Sequence, residues 1–519
     1  HAPRLQELQL VSLTKPVALE GLHELAELSV FWAQNTVVTT LANLAKLPSL
    51  RAVSMYGYAA EGLLDLPSVE LVDIVNGSIA EVQVGAPLRI LMLLNCGVQR
   101  LIATEPLKNL QVLQIPSNEL HELPDFSVAE DLVYLDVKAN FLAELPDLHL
   151  MAKLEWFLAD SNRLLRLPRF HPSAAPIVIS ATDNRLVSVS DLPPATRDII
   201  FQSSPLLESI NVTGCSSLLY FQAQHCPSLK AIFGLDSLVS VKVVLIDDNV
   251  LEDISGLAAA TGIEVLGVRG NFLKVLPDMS KWRALQKLNA ADNKLQSVLV
   301  WPPSSNLTEV ALFQNNISVL GDISGLTGLQ YFWVPFNNLR VLPDFSENVR
   351  LRQIWASGNR LESLPPLQHL ENLERLICEG NALAEVPILP ASLQRLNLGD
   401  NLLTTVDVEH LWRLQYLDVD RNRLSRVPEF DSCIALVSLD LSHNVIADPV
   451  ADLQGCVGLE KVDVSFNLLS EASWILPQVA SGVVNLTGNC FGSVDDEMWD
   501  PWSVVHFSSR AGASVCVSQ

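Results

Sequence analysis

The chain has 519 residues, 49% of them hydrophobic and 18% charged, so it can bury a large core and is not a disordered tail. Its 58 acidic against 34 basic residues give a net charge of -24, which repels a phosphate backbone and an anionic membrane surface and excludes nucleic acid as a natural ligand. No apolar run reaches the roughly twenty residues that span a bilayer, and eight scattered cysteines are too few for a disulfide scaffold and too widely spaced for a CxxC metal site.

Self-comparison decides the architecture, because a fixed period of roughly twenty to fifty residues means stacked units instead of one globule. Residues 110–125 read LQVLQIPSNELHELPD, 132–147 read LVYLDVKANFLAELPD, and 329–344 read LQYFWVPFNNLRVLPD. All fit LxxLxLxxNxLxxLPD. In chain order, weaker copies start at Leu5, Leu25, Leu50 and Val69, and clear ones run from Leu88 to Ser481, with starts at Ile263, Leu285, Leu307, Leu329, Leu351 and Leu373 spaced 22 residues apart. About twenty-three units result. Between 176 and 241 two registers compete, since Leu207xxIle210xVal212xxCys215 and Leu218xxPhe221xAla223xxCys226 are offset by eleven residues. Counting from both sides favours starts near Pro176, Thr196, Leu218 and Val241, which puts Ser204 and Cys226 at the Asn position and Asn211 on an outer loop. The outer segments, such as DFSVAEDL and DFSENVRL, are too short and Pro-flanked for long helices and predict 3₁₀ or extended pieces. Three divisions follow: irregular repeats over 1–87, regular repeats over 88–489, and a segment over 490–519 that caps one continuous solenoid.

These residues resemble the leucine-rich-repeat family over nearly the whole chain. The resemblance implies an α/β horseshoe solenoid with a parallel sheet on its concave face, short 3₁₀ or extended convex segments, and a ladder of Asn side chains (Asn118, Asn140, Asn271, Asn293, Asn337, Asn359, Asn381, Asn401) where each strand turns away. Period two accounts for the rest: in LxxLxLxx the leucines point inward, the intervening residues point to the open surface, and stacking closes a core that one coil cannot close alone.

The outward columns hold the candidate site. Phe313, then Tyr331, Trp333 and Phe336, then Trp355 fall on adjacent units, with Glu309 on one side and Arg375 and Arg395 on the other. Large aromatics on an open sheet are binding anchors, and an apolar centre with a charged rim has the composition of a protein interface. A cross-strand ladder that only stabilises the sheet is the bland counterpart. Asp418, Asp440 and Asp463 share a column with Asp420 alongside, a weak metal candidate whose plainer reading is a solvated acidic face. Ile90, Met92 and Leu94 with Trp156 and Leu158 form a lesser apolar patch, which the N-terminal coils would cover in the plainer case.

No HExxH, G-x-S-x-G, GxxxxGK[ST] or dinucleotide loop occurs, so no enzyme class and no cofactor is indicated. His225 beside Cys226 has the outline of a thiol nucleophile, but a buried structural cysteine is the simpler reading, as it is for Cys378, Cys433 and Cys456. Sequons stand at Asn76, Asn211, Asn306, Asn316 and Asn485, and Cys490 with Cys516 would bridge in an oxidising compartment. The chain starts at His1 without an initiator Met, which fits both a processed secreted chain and an excerpt of a longer one. The expectation is a binding module for a protein, or a glycan, at the cell surface or outside. The alternatives are a structural element of an extracellular coat or appendage, and a cytoplasmic scaffold like the leucine-rich-repeat phosphatase regulators.

Overall fold

The structure is a computed structural model. It describes residues 4–39, 41–174, 177–447, 453, 455–470, 475 and 483–490, with the backbone alone for 58–62 and 504–506. The chain divides into two compact units, His1–Ile263 and Glu264–Gln519.

Within the first unit, one short strand per coil pairs in parallel with the next, from Glu7–Val11 and Val30–Gln34 through Ile90–Leu94, Val112–Gln114, Tyr134–Asp136 and Trp156–Leu158 to Val178–Ser180, Asp198–Ile200, Tyr220–Gln222 and Val243–Leu245. The second unit repeats this from Val265–Gly267 through Tyr331–Trp333 and Gln353–Trp355 to Val483–Asn485, with Val504–His506 paired beyond it. The middle residue of each three-residue strand is inward, as Leu113, Phe157, Phe332 and Ile354 show by their complete or near-complete burial. Each such side chain contributes about 2 kcal/mol of transfer free energy, available only because neighbouring coils cover it above and below. Outer segments add their own apolar residues to the same core: Phe345 meets Phe332 edge-on at 5.6 Å, and Phe170 meets Phe157 at 5.2 Å. Among the described residues the only helices are 3₁₀ turns, at Leu22–Glu24, Leu41–Lys46, Leu235–Ser237 and Ser255–Ala259, and none is long and apolar enough to cross a membrane.

The Asn ladder is built as backbone chemistry requires. Asn337 donates from Nδ2 to Leu312 O (2.9 Å), one coil back, and to Val334 O (3.1 Å), while its Oδ1 accepts Ile317 N–H (2.9 Å). Peptide groups that a tight turn would strand are thereby satisfied. Cys226 takes the position as expected, its Sγ facing Phe201 O at 3.2 Å, and Cys96 does the same towards Ile74 O. Ser204 also occupies it, too short to bridge: its buried Oγ has no partner. The residue before each ladder Asn is left-handed, including Ser117 (φ 57), Ala139 (φ 52), Phe336 (φ 56) and Phe466 (φ 53). An L side chain is strained there by about 1 kcal/mol or more, and bonds to the next coil hold the torsion, as Phe336 N–H does on Ser357 O (2.8 Å).

Two expectations need correction. The second coil starts at Leu28, not Leu25, since Phe31 and Ala33 are the buried pair and Leu8 lies opposite Phe31. Leu25xxLeu28xVal30 satisfies the consensus equally well in sequence, and only coil length separates the two. Asn211 is not on an outer loop. It ends Ser209–Asn211, the middle strand of a separate sheet with Ser188–Val189 and Ala231–Phe233. The two registers offset by eleven residues are thus both realised, each in its own sheet. The same doubling explains Ala52–Leu66 and Leu71–Val84, which the short-strand expectation missed: Leu71–Val84 pairs first with Ile90–Leu94 and then with Arg100–Ala103. The period-two run LVDIVNGSIAEVQV is the signal that carries it.

Candidate functional site

In the second unit, parallel register sets Trp333 opposite Trp355, Tyr331 opposite Gln353, and Trp355 opposite Ile377. Both tryptophans lie on the open face, Trp333 half-buried and Trp355 40% exposed, because Phe332 and Ile354 take the inward positions. Tyr331 leans on Trp333 with ring centroids 5.6 Å apart, and the Trp355 indole N–H donates to Ser357 Oγ at 3.1 Å, fixing the ring plane. Phe336, 56% exposed, projects from its left-handed backbone across Gly358, where an added Cβ would come within 2.6 Å of the Phe336 ring. Phe313 is half-buried, with the Arg269 guanidinium 5.5 Å from its ring centroid. Ile377 extends the Trp column by one strand, a member that simple column counting would have added.

The charged rim is partly paired. Glu309 holds Lys287 at 2.8 Å, and Glu374 takes Arg352 at 2.6 Å. Arg375 and Arg395 are exposed, and the Arg395 guanidinium lies 5.3 Å from the Tyr416 ring centroid. Beyond them, Arg395, Tyr416, Asp418, Asp440 and Lys461 surround a cavity of about 160 Å³.

Asp418, Asp440 and Asp463 do share a column, paired in register. Each carboxylate accepts the backbone N–H two residues on, of Asp420, Ser442 and Ser465 at 3.2, 3.0 and 2.9 Å, and Asp463 also takes the Asn485 amide at 2.9 Å. These are turn-forming carboxylates, and Asn397 makes the same bond to Gly399 N–H. Among the described residues no group of three His, Cys, Asp or Glu is placed to hold a metal ion. The column is therefore a run of separate carboxylates, with burial first and then Asp440 pushing Asp418 up. Burial, followed by Asp418, raises Asp420 to about 6 despite Arg421 at 2.8 Å.

Elsewhere, Ile90, Met92 and Leu158 are half-buried on the open face of the first unit, with Leu94 38% and Trp156 39% exposed, so the N-terminal coils do not cover this patch. Cys226, Cys378, Cys433 and Cys456 are buried, and desolvation pushes their thiols up, which disfavours the thiolate a nucleophile needs. His225 is turned to Asp248 at 3.0 Å. Sequon residues Asn76, Asn306 and Asn316 are exposed, whereas Asn211 and Asn485 are half-buried and hydrogen-bonded. Cys516, one half of the expected Cys490 bridge, lies outside the described residues, as does most of the 490–519 segment.

The chain matches no protein-family model and no curated protein. Solved structures do match. A plant peptide hormone receptor, RGFR1 in complex with RGF2, is 18% identical over 94% of this chain and 92% of that chain, with a TM-score of 0.59. YopM from Yersinia enterocolitica is 24% identical over 88% and 91%, with a TM-score of 0.57. The functional domain of InlJ from Listeria monocytogenes is 17% identical over 73% and 70%, with a TM-score of 0.51. At such identities the likeness is one of fold, and the fold is the leucine-rich-repeat solenoid that the repeat motif implies.

Proposed function

We propose that this leucine-rich-repeat solenoid is a non-catalytic recognition module that holds a protein or peptide partner on its open sheet face, around Trp333 and Trp355. The observation that carries the reading is the exposure of two register-matched tryptophans beside Tyr331, Phe336 and Ile377. Aromatic rings supply large contact area at small entropic cost, and here their planes are already fixed by Ser357 and Tyr331. Arg375 and Arg395 at the edge give the partner's acidic groups somewhere to go. The fold likeness to a peptide hormone receptor solved with its peptide supports the same reading. A cell-surface or extracellular setting goes with it, and glycans found on Asn76, Asn306 or Asn316 of the native chain would support that setting.

The test is a displayed peptide library selected on the full chain, followed by Trp333→Ala and Trp355→Ala. Selected peptides should lose about 30-fold in affinity, the 2 kcal/mol typical of an interface anchor, while thermal melting is unchanged. Binding that survives both substitutions puts recognition elsewhere.

A further inference from the structure

The tryptophan column of the second unit runs between two edges of opposite sign. On the coil that begins with Arg375–Ile377, residues 375, 377 and 379 reach the open face while Leu376 and Cys378 are buried, so Ile377 stands between Arg375 and Glu379. Register puts Arg395 opposite Arg375 and Trp355 opposite Ile377. Past the end of the strand, Gly380 N–H donates to Gly399 O at 2.9 Å, and Asp400 Oδ2 comes within 4.0 Å of where a Gly380 Cβ would stand. Arg375 and Arg395 thus form one edge and Glu379 and Asp400 the other, about 13 Å apart along the strand.

All four charged side chains are exposed, and among the described residues none of them is in an ion pair. The Arg395 guanidinium lies against the Tyr416 ring, Glu379 accepts one bond from the Asn397 amide at 3.3 Å, and the Asp400 carboxylate has no hydrogen bond among the described residues. Neighbouring charges do pair, Glu374 with Arg352 at 2.6 Å and Asp420 with Arg421 at 2.8 Å. Like charges directly opposite on adjacent strands destabilise a sheet, yet Arg375 faces Arg395 in a chain with 58 acidic residues against 34 basic. A carboxylate held between the two guanidiniums removes that repulsion, and an incoming cation does the same for Glu379 and Asp400.

The acidic edge also has room. An added Cβ at Gly380 would meet nothing nearer than Gly358 N at 3.6 Å, so the bare backbone between Phe336 and Asp400 can take the stem of a long side chain. The polarity keeps its direction in the adjoining cavity, where Arg395 and Lys461 stand in the first column and Asp418 and Asp440 two residues further along their strands. A second copy would bring its own net charge of -24, so a short segment of another chain is the occupant with the smaller electrostatic cost.

Resting on the recognition reading above, we propose that the segment held on Trp333 and Trp355 is amphoteric. It sets an apolar residue on the tryptophan column, an acidic side chain between Arg375 and Arg395, and a lysine or arginine towards Glu379 and Asp400.

The probes are peptides selected from a displayed library on the full chain, measured against that chain and against two charge-reversed ones, Arg375→Glu with Arg395→Glu and Glu379→Lys with Asp400→Lys. The selected peptides should carry both signs. Replacing their acidic residue with Lys should cost at least tenfold in affinity for the unaltered chain and gain at least tenfold for the chain with Arg375→Glu and Arg395→Glu. Replacing their basic residue with Glu should show the same exchange with Glu379→Lys and Asp400→Lys. Should a reversed chain fail to fold, the milder Arg375→Gln and Glu379→Gln should each cost about threefold with thermal melting unchanged. Peptides that lose affinity on Trp333→Ala and Trp355→Ala yet show no such exchange overturn the amphoteric partner and leave the recognition site standing. Peptides indifferent to both tryptophans, or none selected, overturn both. Self-association of the chain that the charge reversals abolish makes a second copy the occupant and overturns the proposal as well.

Discussion

The open faces of the two units are built on one inward rule and differ in everything that rule leaves free. Residues 264–519 sort their outward columns by chemistry, with aromatics at Trp333 and Trp355 and carboxylates at Asp418, Asp440 and Asp463. Residues 1–263 carry instead a long aliphatic and aromatic stripe. Their coils differ too: steps in the second unit are mostly 22 residues, with a second short strand at Ser297–Val298 and Val319–Leu320, whereas the first mixes coil lengths and doubles its strands more extensively. The inward leucines are interchangeable between the units, so they specify stacking alone. Whatever distinguishes the units functionally lies in the alternate residues.

If this division is right, the largest difference appears when the ladder is cut. Asn337→Ala strands the Ile317 N–H and the Leu312 carbonyl in a regular coil and is expected to lower unfolding stability by about 3 kcal/mol, measured by urea denaturation. Less than 1 kcal/mol would mean that the regular coils do not rely on it. Gly358→Ala comes next, at about 2 kcal/mol, because φ +62 and the Phe336 ring both oppose a Cβ. Ala139 in the first unit already carries a Cβ at φ 52, so Ala139→Gly should be close to neutral; equal costs at the two sites would erase the contrast. In the irregular coils the sign reverses. Ser204→Asn supplies the missing ladder amide and should stabilise by about 1 kcal/mol, and a loss would show that the coil has closed too tightly to accept it.

The smallest effect is electrostatic. Burial and Asp418 hold the folded Asp420 carboxyl at about 6, against ~3.9 in an unfolded chain, so the folded state keeps that proton longer. Stability from this group is full below pH ~3.9 and falls as pH rises through about 6. Asp420→Asn should flatten that fall in melts taken from pH 4 to 8, and an unaltered slope would deny that burial and Asp418 hold this carboxyl up in the folded chain.

The stacked architecture could be read in advance because period two and a 22-residue step are written directly into the leucines and Asn residues. The positions of Trp333 and Trp355 followed from the same count. Three features resisted. Leu25 and Leu28 satisfy one consensus, and only the coil length chooses between them. Asn211 sits in a segment that fits two registers, and a linear reading must pick one where the folded chain uses both. The closure of the acidic column by its own turns, with Ser442 and Ser465 N–H groups on Asp440 and Asp463, depends on backbone geometry that composition does not encode.

Each ladder Asn grips the coil made before it: Asn140 reaches Ile115, Asn162 reaches Val137, and Asn184 reaches Ala159. Order along the chain therefore has a direction. During synthesis a newly emerged coil arrives with the amide that finishes its predecessor, so folding can follow the ribosome one step behind, with a single incomplete edge at any moment.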